Sequence, residues 1–74
     1  MNPQKIHPRI YYIRGILRNR LSFCNEDRAL ELMAEAHAAG VPVEHLEDVA
    51  KSLKTRTWTD FQEQVNEAIE VASE

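Results

Sequence analysis

The chain has 74 residues and a formal net charge of −3. That length allows one domain with a core of modest size, near the limit at which small folds need staples or a partner. The single cysteine, Cys24, excludes an intrachain disulfide and points to a reducing, cytoplasmic setting. Apolar runs reach only about four residues, against the ~20 that cross a bilayer, and Met1–Pro8 is polar rather than leader-like.

The charge is unevenly spread. Residues 1–24 hold Lys5, Arg9, Arg14, Arg18 and Arg20 and no acid, whereas residues 25–74 hold four basic residues and all twelve acids. Two readings compete: the basic third packs across acidic helices of its own or a second chain, or it meets phosphates or an acidic partner.

Residues 1–7 read as a polar arm, because Pro3 and Pro8 bar an ordinary helix interior. A first helix is expected over Pro8–Phe23. Proline suits a first helical position, and Ile10, Ile13, Leu17 and Leu21 recur at helical spacing with Ile16 on the flank. Against this, Ile-Tyr-Tyr-Ile is strand-prone and Gly15 costs a helix about 1 kcal/mol relative to alanine, so a short strand over Arg9–Arg14 is the alternative.

Asn25 is a suitable N-cap for a second helix over Glu26–Ala39, with Glu26 and Asp27 at the positive end of its dipole. Its inner stripe is read as Leu30, Met33 and His37, adjoined by Ala29, Leu32, Ala36 and Ala39, and Gly40 supplies the stop. A third helix runs from about Pro42 to Leu53 with Val43, Leu46, Val49, Ala50 and Leu53 inward and Glu44, Glu47, Asp48 and Lys51 outward. Lys54–Thr57 forms a basic turn. Thr57 or Thr59 then caps a fourth helix whose stripe is Trp58, Phe61, Val65, Ile69 and Ala72. Glu63, Glu67, Glu70 and Glu74 lie off that stripe, repel one another and crowd the negative end of the dipole, so fraying after Ala68 is expected unless a basic partner meets them. The fold expected is all-α: one bundle of four short helices, with Trp58, Phe61, Val65 and Ile69 clamping the corner.

This outline resembles the helix-turn-helix class of small bundles. One window is Leu32–Leu53, with Ala36, Gly40, Val41, Leu46 and Val49 at the small, turn and core places; its second helix shows Glu44, Glu47 and Asp48 outward, which oppose phosphates. The other is Leu46–Val65, with Ala50 and Leu53 before the turn and Lys54 where the pattern has glycine. By that resemblance Lys51, Lys54, Arg56, Thr57, Thr59 and Gln62 would meet a DNA backbone or base edges, although Asp60 and Glu63 share the last helix.

Catalytic and metal chemistry find little to use. His7, His37 and His45 lack ligand spacing, and His37 on the inner stripe reads as an interfacial side chain. Cys24 beside acids is a small apolar filler, Ser22 and Ser52 have no positioned base, and no glycine-rich phosphate loop occurs. No enzyme, cofactor or metal is expected. The first functional expectation is a protein-binding module, with a homodimer as one form of it. It would act through the basic first helix (Arg9, Tyr11, Tyr12, Arg14, Arg18, Arg20) and the acidic last helix (Glu63, Glu67, Glu70). Arg14, Arg18 and the tyrosines could stack on and neutralise nucleic acid instead. The opposing reading has the tyrosines covering the core edge and the arginines pairing with Glu31, Glu35 or acids of the last helix. A third reading makes the acidic surface a nucleic-acid mimic.

Overall fold

The computed structural model describes residues 6–20, 25–53 and 57–74. Among them are four helices and no strand: α1 (Pro8–Arg18), α2 (Glu26–Ala38), α3 (Val43–Lys51) and α4 (Trp58–Ser73). The principal packing contacts run α1–α2, α1–α3, α2–α4 and α3–α4. The helices therefore form a closed ring around one core, in a flat body of 30 × 29 × 17 Å.

The Arg9–Arg14 stretch is helical, which settles the strand alternative. Ile10, Ile13 and Leu17 are wholly buried; their three- and four-residue spacing aligns them on one face, and that burial outweighs the low helix preference of Ile-Tyr-Tyr-Ile. The helix begins with Pro8 at its first position, and the His7 Nδ1 accepts from the Arg9 backbone N–H at 3.0 Å, a cap the sequence reading did not foresee. It ends at Arg18, short of the expected Phe23. Asn19 caps it, and the Arg20 N–H donates to the Leu17 carbonyl at 2.9 Å. Leu21, Ser22, Phe23 and Cys24, where the reading continued, lie outside the described residues.

In α2 the inner face is rotated from the one expected. Ala29, Met33 and Ala36 are fully buried, Leu30 and Leu32 are half-covered, and His37 and Ala39 are exposed. The correction has a geometric cause. α2 packs on both α1 and α4, and two helices approach most closely over alanine, so Ala29 and Ala36 take the centre and turn His37 outward. The His37 ring meets the His7 ring edge-on, 5.5 Å between centroids.

The stop after α2 is a Schellman motif. The Val41 N–H donates to the Ala36 carbonyl at 2.9 Å and the Gly40 N–H to the His37 carbonyl at 3.1 Å. Gly40 has φ 111°, a region closed to most side chains. Val41, only 2% exposed, closes the motif against buried Ala36. Pro42 is then the N-cap of α3 rather than its first helical residue. Val43, Leu46, Val49, Ala50 and Leu53 are buried as the spacing requires.

Thr57, not Thr59, caps α4: its Oγ1 accepts from the Asp60 N–H at 3.3 Å. Phe61 and Val65 are fully buried and Ala68 nearly so, whereas Trp58 and Ile69 are half-buried and Ala72 is exposed. The Trp58 and Phe61 rings lie 5.8 Å apart. The expected clamp is present, centred one residue away from Ile69 on Ala68. The helix continues past Ala68 to Ser73 with no basic residue in its last turn.

Candidate protein-binding surfaces

The basic residues of α1 are engaged within the chain. Arg14 Nε lies 3.1 Å and Arg18 Nη2 2.8 Å from Glu26 Oε1, and Arg14 also approaches Asp27 at 3.6 Å. Arg9 pairs with Glu47, which lies 2.8 Å from the Lys51 ammonium one turn along α3. These bridges staple the C-terminal half of α1 to the start of α2 and its N-terminal end to α3. The acids involved are thus Glu26, Asp27 and Glu47, not Glu31, Glu35 or acids of α4 as the opposing reading had it. Chain geometry explains the choice: the short link returns α2 beside the end of α1, placing Glu26 and Asp27 next to Arg14 and Arg18. The Glu26 and Glu47 side chains retain only 12% and 13% exposure.

These contacts move the titration of both acids. The hydrogen bonds from Arg18 hold the Glu26 carboxyl below its ordinary value of 4.5, with partial burial opposing and the charges of Arg18 and Arg14 assisting. The Lys51 hydrogen bond does the same for Glu47, again against burial and with help from Arg9. The same bond raises the Lys51 pKa.

Arg20 donates from Nη1 to the Lys51 carbonyl at 3.4 Å, placing a cation at the negative end of α3. Tyr11 and Tyr12 are exposed by 50% and 53%, so they do not cover the core edge; the Arg9 guanidinium lies 4.3 Å from the centre of the Tyr12 ring. Cation–π stacking and ion pairing thus hold Arg9 from two sides.

The acidic helix is the reverse case. Glu63, Glu67, Glu70 and Glu74 are exposed, and among the described residues no ion pair includes any of them. At about 100° per residue they fall within a sector of about 60°, a stripe running some 16 Å along the helix. Their mutual repulsion and their place at the negative end of the dipole disfavour the helix, and its last turn holds no basic residue.

Beside this stripe an open groove of about 570 Å³ lies where the C-terminal half of α4 meets the α2–α3 link. Gly40, Val41 and Pro42 line one side and Ala68, Val71 and Ala72 the other, with His45 and Glu67 at the rim. Val71 is 66% exposed, more than either tyrosine. Sequence reading missed this groove because it placed Ala72 in the core and gave Val71 no role; the signal available was an apolar residue one turn beyond Glu67 on a helix already carrying an inner stripe.

Of the nucleic-acid candidates, Lys51, Thr57, Thr59 and Gln62 are among the described residues. Lys51 is engaged by Glu47. Thr57 serves as a cap, while Thr59 and Gln62 are exposed near Asp60 and Glu63. Lys54 and Arg56, with the turn itself, lie outside the described residues. In the first helix-turn-helix window, α2 and α3 are joined by the Gly40 turn but pack chiefly through α1 and α4. Among the described residues no group of His, Cys, Asp and Glu could hold a metal ion, and no helix is long and apolar enough to cross a membrane. Comparison of the chain with protein-family models, with curated proteins and with solved structures finds no match.

Proposed function

We propose that this chain is a small non-enzymatic protein-binding module whose contact surface is the acidic face of α4, and that its partner presents a basic surface. The observation that supports this reading is the asymmetry between the two charged helices. The arginines of α1 are paired with Glu26, Asp27 and Glu47, whereas among the described residues no ion pair includes Glu63, Glu67, Glu70 or Glu74. Four uncompensated acids on one stripe cost the isolated helix stability, a cost that a basic partner reverses. The same asymmetry weighs against self-association of α1 with α4, because the arginines would first have to leave their present partners. A nucleic-acid mimic would be one form of the proposed module, its partner being a nucleic-acid-binding protein.

The test is affinity capture from nuclease-treated lysate with two baits: the wild-type chain and the variant Glu63→Lys/Glu67→Lys/Glu70→Lys, whose fold is checked by circular dichroism. Proteins retained by the first and lost from the second support the reading. An identical retained set for both baits would refute it. Direct nucleic-acid binding through Thr59, Gln62 and the 54–56 turn is the second reading. It requires a mobility shift with DNA or RNA at ~50 mM salt that weakens steeply as salt rises; the acidic reading expects none.

A further inference from the structure

The α4 surface also specifies the shape of what it meets, an inference that rests on the reading above. We infer that the groove between α4 and the Gly40–Pro42 link takes one amphipathic basic helix of another protein. Its apolar stripe would lie on Val41, Ala68, Val71 and Ala72, and its cationic flank against Glu67 and the neighbouring acids. Three observations lead there. The groove is apolar and unfilled, and its most exposed apolar side chain, Val71, gains cover only from an added element. Its lining includes the small residues Gly40, Ala68 and Ala72, with Gly40 and Ala72 meeting at one point, where an added Cβ would lie in ordinary contact at 3.8 Å; small residues let a helix approach closely at a crossing. The acid stripe reaches the groove at Glu67, which places the occupant's cationic flank on the α4 side.

Other occupants fit less well. Among the described residues there is no strand, so an extended peptide has no sheet edge to extend, and the helix-in-groove mode is what an all-helical surface offers. A second copy of this chain docking through α1 would present Arg9, Arg14 and Arg18, which are already paired. A small polar ligand would need convergent polar groups. Among the described residues no buried side-chain nitrogen or oxygen lacks a hydrogen-bond partner, so none is held in wait for one.

The experiment is an amide-resolved NMR titration of the full chain with a synthetic stapled helix of about 15 residues, roughly four turns. This peptide carries leucine at i, i+3, i+4 and i+7 and lysine along one flank. A peptide of the same composition in scrambled order is the control. Shifts concentrated at Gly40, Val41, His45, Ala68, Val71 and Ala72 are expected with the amphipathic peptide alone. Val71→Asp, a change at an exposed position, should weaken binding by about tenfold or more, and Glu67→Lys by several-fold. Equal shifts from both peptides, spread along Glu63–Glu74, would overturn the groove while leaving the acidic-surface reading in place. Groove shifts that persist in the Glu63→Lys/Glu67→Lys/Glu70→Lys variant would uphold the groove and overturn the acidic reading. No shift from either peptide at millimolar concentration would overturn both.

Discussion

Phe61→Ala is the most severe single truncation the packing predicts. Phe61 is fully buried and is the largest of the three buried residues of α4, the others being Val65 and Ala68. Removing a buried phenyl ring costs about 3–5 kcal/mol through lost transfer energy and the cavity left behind. The ring pair with Trp58 at 5.8 Å adds about 0.5–1.5 kcal/mol beyond burial. Trp58 is half-buried and can lean into the space, so the lower half of the range is expected. A chain of 74 residues has roughly 4–11 kcal/mol of total stability at ~0.05–0.15 kcal/mol per residue. One substitution therefore removes about a quarter or more of it, and lowers the melting temperature by roughly 12–32 °C at ~4–8 °C per kcal/mol. Urea unfolding followed by far-ultraviolet circular dichroism measures this without relying on Trp58 fluorescence, which the substitution itself alters. Val71→Ala is the control: at 66% exposure it should stay within about 0.5 kcal/mol of wild type. A Phe61→Ala loss below about 1 kcal/mol, or a Val71→Ala loss of equal size, would refute the account of how α4 is anchored.

The two glycines should respond in opposite directions. Gly15 lies in a helix with nothing within 4 Å of an added Cβ, so Gly15→Ala should stabilise by about 0.5–1 kcal/mol; Gly40→Ala, at φ 111°, should destabilise by about 1–2 kcal/mol, and thermal melts of both variants decide it. Acid should loosen the α1 staples. The Glu26 and Glu47 carboxyls are held below their ordinary 4.5, so their contribution is complete above that value and is lost as pH falls through the lowered values. Melting temperature should therefore fall on acidification in this window, and Glu26→Gln/Glu47→Gln should be less stable at neutral pH and show a shallower fall; an unchanged slope would contradict the assignment.

Much of the architecture was legible residue by residue. Ile10, Ile13 and Leu17 announce one helical face, Leu46, Val49 and Ala50 another, and Phe61 with Val65 a third, because apolar spacing is a local property that burial merely cashes in. The Gly40 stop was equally readable, since few residues but glycine tolerate the backbone a Schellman turn needs. What local pattern leaves open is rotation. Leu30 against Ala29, His37 against Ala36, and Ile69 against Ala68 differ by one residue or about 100°; hydrophobicity alone favours Leu30 and Ile69, and helical spacing from Leu30 and Met33 put His37 on the inner stripe. Close packing of α2 and α4 against two neighbours each reverses that preference. The charge segregation was likewise plain in the sequence, but composition has no way to say which charges meet. Only the return of α2 alongside α1, and the packing of α1 on α3, brought Glu26 and Glu47 to the arginines, while among the described residues the acids of α4 enter no ion pair. That pairing depends on distances across the fold, so tertiary structure alone could separate the saturated surface from the open one.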